Sequence, residues 1–143
     1  VPEGVELEAV TESRLEVMVN PVLMGWVLEN LVKNALAAVT GQVTGAVTIL
    51  TRDLHEGSGV VEISVSDNGR GIPFRDQSRI FQAGFTTKRG GWGLGLTLSR
   101  RIVEEYHGGS IRLGSSSPGR GATFLIRIPA ATEKNEQADD TLG

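Results

Sequence analysis

Apolar and polar residues alternate over Val5–Val10 (VELEAV) and again over Arg14–Asn20 (RLEVMVN), and a period of two predicts two strands. At Asn20-Pro21 the pattern changes. Asn is a good N-cap and Pro suits a first helical turn, so a helix is expected from here to about Thr40, before Gly41. At about 100° per residue, Met24, Leu28, Leu31, Val32, Ala35 and Val39 share one broad face, which should pack on a sheet. Glu29 and Lys33 lie away from that face, spaced for a surface ion pair. AVTILTRDL and VVEISVSD then form an expected hairpin around the loop HEGSG. FRDQSRIFQ predicts a short helix, GFTTKRGGWG a loop, and LGLTLSRRIVEEYHGG a helix closed by Gly108. SIRLGSS and ATFLIRIP complete the pattern as a strand pair about SPGRG. The order, strands first and helices interspersed, is that of an α+β domain with helices layered on one sheet face. From Ala131 the chain is polar and charged (ATEKNEQADDTLG), and positions 131–143 are expected to be a disordered tail after a single domain over 1–130.

Composition narrows the possibilities. The 143 residues suffice for one domain with a proper core. The net charge of −3, without a basic run, gives no electrostatic support for nucleic-acid binding. No apolar run is expected to approach the roughly 20 residues of a membrane span, and the start VPEGVELEAV lacks the features of a signal peptide. The chain has no cysteine, which excludes disulfides and thiolate metal sites and fits a cytoplasmic setting. The 19 glycines crowd between Gly69 and Gly121, which suggests backbone contact with a ligand.

Four stretches carry candidate chemistry. In ENLVKNALAAV, Asn30 and Asn34 sit one turn apart at the border of the apolar face. Asn is a poor residue inside a helix, so the pair is either two polar boundary residues or an amide ladder aimed into a cleft, where a carbonyl could ligate Mg²⁺. DNGRGIP places Asp67 at a strand end beside Gly69 and Gly71. That is either an ordinary turn or a carboxylate set to accept a hydrogen bond from the amino group of adenine. GFTTKRGGWGLGL combines hydroxyls, one Lys and glycines before a helix, an arrangement that offers backbone N–H groups to phosphates. It is neither a Walker A sequence nor a dinucleotide fingerprint. SPGRGATF is a hairpin turn whose Thr123 could face the same cleft.

Taken in this order, the four stretches resemble the boxes of the ATP-binding catalytic domain of bacterial sensor histidine kinases, within the wider group that includes gyrase, the Hsp90 chaperones and MutL. ENLVKNALAAV is similar to the N box and DNGRGIP to the first glycine box. RIFQAGFTTK resembles the F box, GGWGLGLTLSRRIVEEYHGG the second glycine box, and GRGATFLIRIP the closing segment. The resemblance spans about Val5 to Pro129. It implies a two-layer α/β sandwich of the Bergerat type, a mixed five-stranded sheet covered on one face by three helices.

The resemblance also implies ATP and Mg²⁺. Asn34 is the expected metal ligand, and Asn30 its neighbour near the phosphates. Asp67 should meet the adenine amino group, with Gly69 and Gly71 letting the base approach and Ile72 lining its pocket. Phe81 and Phe85 should anchor a lid that carries Thr86, Thr87, Lys88 and Gly91. Lys88 and the amides of Gly93, Leu94, Gly95 and Leu96 should meet the phosphates. Asn30 and Lys88 are the residues expected to bear on catalysis, and Thr123 should support adenine through a water. The N box departs from the common form, since NALAA has no Lys to meet the phosphates. NALAAV with FTTK is closer to the nitrogen-regulatory type of sensor kinase, and Trp92 stands where a small residue is common.

A histidine kinase needs an acceptor histidine. His55-Glu56 matches the acceptor dipeptide but sits in a short loop, and His107 ends a helix, where it would act as a cap. The implied partner is therefore a dimerising phosphoacceptor hairpin elsewhere in the parent kinase and, through it, a response regulator. Related ATPases carry a Glu as general base where this chain has Asn30, which argues against fast hydrolysis. An anti-sigma-factor-type serine kinase, an ATPase of the wider gyrase and Hsp90 group and a nucleotide-binding module are the alternatives.

Overall fold

The computed structural model describes residues 4–55, 57–82, 95–117 and 119–130. Five strands form one mixed sheet: β1 (Val5–Thr11), β2 (Gly45–Asp53), β3 (Val60–Asp67), β4 (Ser110–Ser117) and β5 (Gly121–Pro129), in the order β1-β2-β3-β5-β4. Only β1 and β2 run parallel, joined by the crossover helix α1 (Pro21–Val39). The other pairings are antiparallel, and a bulge between Leu113 and Ser115 adjusts the register of β4.

Helix α1 starts as its sequence predicts. The Asn20 side chain accepts from the backbone N–H groups of Val22 and Leu23 at 3.0 and 3.1 Å, and Pro21 occupies the first turn. Its buried stripe is Met24, Val27, Leu31, Ala35 and Val39, with Leu28 and Val32 packed at its margin. By length and hydropathy α1 qualifies as a candidate membrane span, which the reading of the chain as free of such a run overlooked. Its buried residues share one core with Val47, Val65, Phe124, Ile126 and Ile128 of the sheet, as in the core helix of a sheet domain, while Val22 stays exposed. Glu29 and Lys33 form the expected exposed ion pair, at 3.1 Å.

A second helix, α2 (Gly95–Arg101), continues into a π turn at Ile102–Tyr106 and ends where Gly108 adopts φ 63°. His107 joins the two helices. Its Nε2 accepts from the Asn20 N–H at 3.0 Å, while Nδ1 lies 2.9 Å from the Ile102 carbonyl.

Two expected elements differ. RLEVMVN is not a strand: the amides of Arg14 and Leu15 turn to the Asp53 carboxylate, at 3.2 and 3.4 Å, and Ser13 donates to Asp53 Oδ1 at 2.6 Å. Alternation alone supplied no neighbouring strand to pair with. FRDQSRIFQ is not a third helix but a single 3₁₀ turn at Phe74–Asp76 followed by turns. Its backbone bonds, from Asp76 to Pro73, Gln77 to Phe74, Arg79 to Asp76 and Gln82 to Arg79, all span three residues. A segment this short does not recover the cost of α-helix nucleation unaided. Among the described residues the sheet is thus covered by two helices rather than three.

Candidate nucleotide site

Asp67 ends β3 on the face that packs against the helices, since it shares that face with Val65 and Ile63. Its Oδ1 accepts from the Gly69 N–H at 2.8 Å, and the backbone N–H of Ala122 also donates to the carboxylate. Burial pushes the Asp67 carboxyl above the usual carboxylate range. The two amides and the Arg70 charge pull the other way without cancelling the effect. An acid in this state gains from any further donor brought to it.

The turn after Asp67 is stitched to its surroundings. Asn68 holds the start of β2 and the residue before it through both side-chain atoms, accepting from the Ala46 N–H at 2.8 Å and donating to the Thr44 carbonyl at 3.0 Å. The Arg70 N–H donates to the Ala38 carbonyl of α1, and its carbonyl accepts from Gly119 in the β4–β5 hairpin. Gly69 is glycine for a packing reason, because a Cβ there would run into the Ala38 carbonyl. This assigns Gly69 to the approach of the turn to α1, where the sequence suggested the approach of a base. Gly71 has φ 74°, a backbone angle that suits glycine. Ile72 packs at the edge of the core beside it.

The other end of the site lies where α1 meets α2. The Asn30 Nδ2 donates to Ser99 Oγ at 3.2 Å, and the buried Ser99 hydroxyl donates on to the Gly95 carbonyl at 2.8 Å. A Cβ on Gly95 would fall 2.9 Å from both terminal atoms of Asn30, so glycine lets the two helices close. Asn34 is one turn further along α1, and Ala38 one turn beyond that. The eight steps from Asn30 to Ala38 span about 12 Å of helix, with the Asp67 turn at one end and the start of α2 at the other. Leu96 packs against the core, and Thr97 donates to the Phe81 carbonyl at 2.8 Å. The Phe81 ring meets Phe124 edge-on at 6.2 Å, with the Arg100 guanidinium 5.6 Å from its centroid. Phe81 therefore anchors the segment that leads from the first glycine turn towards α2.

Thr123 does not join this group. It pairs with Ser66 on the opposite face of the sheet, and the two hydroxyls bond at 3.0 Å. Its neighbour Ala122 is the residue on the Asp67 side. The alternation within ATFLIRIP, with Phe124 in the core, was the signal that could have shown this. Ser99, Ser116, Gln77 and Ala38 also bond to residues of this region, although the sequence reading singled out none of them. Phe85, Thr86, Thr87, Lys88, Gly91, Trp92, Gly93 and Leu94 lie outside the described residues. Among the described residues no cluster of three or more His, Cys, Asp or Glu could hold a metal. An Asn carbonyl completed by phosphate and water oxygens fits Mg²⁺, which keeps several waters and few protein ligands.

Residues 20–132 match the family model described as histidine kinase-, DNA gyrase B-, and HSP90-like ATPase. The chain belongs to this family. Within it, the histidine kinase branch is the one it resembles. It is 38% identical over 122 residues to the sensor histidine kinase ZraS of Klebsiella oxytoca, covering 85% of this chain and 25% of that protein. It is 40% identical over 114 residues to the signal transduction histidine-protein kinase AtoS of Escherichia coli, covering 80% and 18%. The chain thus spans about a quarter or less of these relatives. Among solved structures, the nucleotide-free catalytic domain of histidine kinase ThkA superposes with a TM-score of 0.75 at 33% identity, covering 89% of this chain and 81% of that one. That near-complete match makes the chain a catalytic, ATP-binding domain of the histidine kinase type. Full-length ShkA in complex with AMPPNP superposes with a TM-score of 0.74 at 29% identity, covering 90% of this chain and 26% of that one.

Proposed function

We propose that this domain binds Mg²⁺·ATP in the groove along α1 and delivers the γ-phosphoryl group to a histidine on a separate dimerising hairpin of its parent sensor kinase. The observation that carries the reading is Asp67, a partly desolvated carboxylate on the helix side of the sheet, held by backbone amides at one end of that groove. The adenine amino group is the donor it lacks. With the base there, the phosphates extend past Asn34 to the junction of Asn30 with Gly95. Asn34 offers an oxygen to Mg²⁺, which when bound neutralises charge on the phosphates. Asn30, tied to Ser99, fixes the start of α2 against α1. Lys88 and the glycine segment before α2 complete the phosphate end in this reading.

In the transfer, an imidazole nitrogen of the acceptor forms a bond to the γ-phosphorus as the bond to the β–γ bridging oxygen breaks, and ADP leaves. The domain's share is positioning and charge stabilisation. Glu29 is exposed and engaged with Lys33, and Asn30 occupies the place of a water-activating acid, which supports slow hydrolysis. The reading sets the domain on the cytoplasmic side of its parent. A response regulator follows in the relay, as suggested by the histidine kinase ThkA, solved in complex with the response regulator TrrA (TM-score 0.70, 32% identity, 91% of this chain and 35% of that one).

Calorimetry and phosphotransfer test this together. The domain should bind Mg²⁺·ATP at least about tenfold more tightly than Mg²⁺·GTP, because guanine puts a carbonyl where adenine has its amine. Alone it should turn ATP over very slowly and not label itself. With its cognate hairpin it should yield an acid-labile, base-stable phosphohistidine. Equal affinity for ATP and GTP, or brisk turnover by the isolated domain, would overturn the reading. An acid-stable label would indicate a serine kinase.

A further inference from the structure

In the Asp67–Pro73 turn the Asn68 and Arg70 N–H groups and the Arg70 carbonyl are held by backbone groups, the Gly69 N–H by the Asp67 carboxylate and the Asn68 carbonyl by the Gln42 side chain. At Ile72 both the N–H and the carbonyl are held by side chains. Its N–H donates to the Ser116 hydroxyl at 2.8 Å, and its carbonyl accepts from the Gln77 side chain at 3.1 Å. Two side chains from different elements therefore grip one residue by its donor and its acceptor, directly after the positive-φ Gly71. They are also joined to each other, since Gln77 Nε2 lies 3.4 Å from the Ser116 carbonyl.

The same serine reaches towards Asp67. Its hydroxyl donates to the Gly121 carbonyl at 3.2 Å. The next residue, Ala122, supplies an amide to the Asp67 carboxylate. One hydroxyl thus fixes Ile72 and also the strand that helps to hold Asp67. The distance between the two groups that would meet the base is set through Ser116, and Gln77 locks the Ile72 side of it.

We infer that Ser116 and Gln77 are positioning residues that set adenine selectivity. This rests on reading the groove as an adenine-nucleotide site. Neither needs to touch the nucleotide. Each acts through the Ile72 peptide groups and, for Ser116, through the Gly121 carbonyl. Without them the Gly71-Ile72 turn keeps its connections at Asn68 and Arg70 but is free to rotate beyond them. The base then no longer presents its amine squarely to Asp67, and discrimination against guanine falls.

The test uses the full chain, with Mg²⁺·ATP and Mg²⁺·GTP affinities measured for the wild type, Ser116→Ala, Ser116→Thr and Gln77→Met. Ser116→Ala and Gln77→Met should each weaken ATP about three- to tenfold while leaving GTP within about twofold, so the preference narrows. Ser116→Thr keeps the hydroxyl and should restore the ratio. A merely structural role would lower melting temperature without moving that ratio. If Ser116→Ala fails to fold, Gln77→Met, on a surface turn, carries the test. Variants that discriminate as well as the wild type, or a Ser116→Thr no better than Ser116→Ala, overturn this inference alone. A wild-type domain that does not distinguish ATP from GTP overturns both it and the function it rests on.

Discussion

Glu62 and Asp67 lie five residues apart on β3, one on each face of the sheet, and their surroundings drive them in opposite directions. Glu62 is only 2% exposed, yet both its oxygens are used. Oε1 accepts from Arg52 at 3.0 and 3.2 Å, and Oε2 from Arg127 at 3.0 Å, the three residues standing in register across β2, β3 and β5. Burial alone would raise the Glu62 carboxyl. The hydrogen bonds and charges of the two arginines outweigh it and hold the group below its ordinary value. Asp67 has backbone amides and one distant cation, and burial wins. A carboxylate whose partners are built in is part of the scaffold. One left with fewer donors at a strand end is a candidate for a ligand, as proposed above.

The largest way to break this contrast is at Asp67. Asp67→Asn should weaken ATP by about ten- to a hundredfold, since the new amide sets donor against donor. The empty domain should not lose stability in proportion. With its folded value raised above the ordinary 3.8, Asp67 contributes stability that is present below that value and lost as pH rises through the folded one. Melting curves should therefore favour the Asn variant increasingly as pH rises above 3.8. A variant that melts earlier at neutral pH and keeps its ATP affinity would make Asp67 a structural acid.

Glu62→Gln should do the reverse. Both arginines lose their charged partner, which costs roughly 1–3 kcal/mol in denaturant unfolding, and ATP affinity should stay within about twofold. Here the folded value lies below the ordinary 4.5, so the stabilisation is present above 4.5 and lost as pH falls through the folded value. The gap between wild type and variant should close on acidification. The smallest effect belongs to Thr123→Val. The hydroxyl bonds Ser66 on the Glu62 side of the sheet, so ATP affinity should change less than about twofold and stability by about 1 kcal/mol. A tenfold loss of ATP affinity would put Thr123 back in the site.

How far the sequence disclosed all this depended on whether a residue's reason was local. Asn20 and Pro21 announce a helix start by their own chemistry, and the stripe from Met24 to Val39 follows from a period that the helix itself imposes. Asp67 beside two glycines is on its own as compatible with an ordinary strand-end turn, and it became a candidate only through its place in the order of the four stretches. Gly69 carried the same signal with a different cause, since the Ala38 carbonyl that excludes its Cβ is thirty-one residues away in the chain. Ser116, Gln77 and Ser99 left no trace, because nothing in SSS or RDQSR marks which hydroxyl or amide meets a distant peptide group. RLEVMVN had the alternation of a strand, but pairing is a property of two segments, and the amides of its first residues found the Asp53 side chain instead.

The parallel pairing of β1 with β2 bears on where this domain can be cut. The match to the family model starts at residue 20, whereas seven register pairs, from Val5 with Gly45 to Thr11 with Thr51, tie the preceding segment to the sheet. Cutting at the motif boundary would strip β2 of its neighbour. It would leave a row of unpaired peptide groups beside Val47 and Ile49, a template for strand addition by another chain. The present margin, by contrast, carries Glu6 and Glu8, whose exposed charges discourage such addition. The boundary of the folding unit is therefore set by the hydrogen-bond ladder, and it lies upstream of the residues by which the family is recognised.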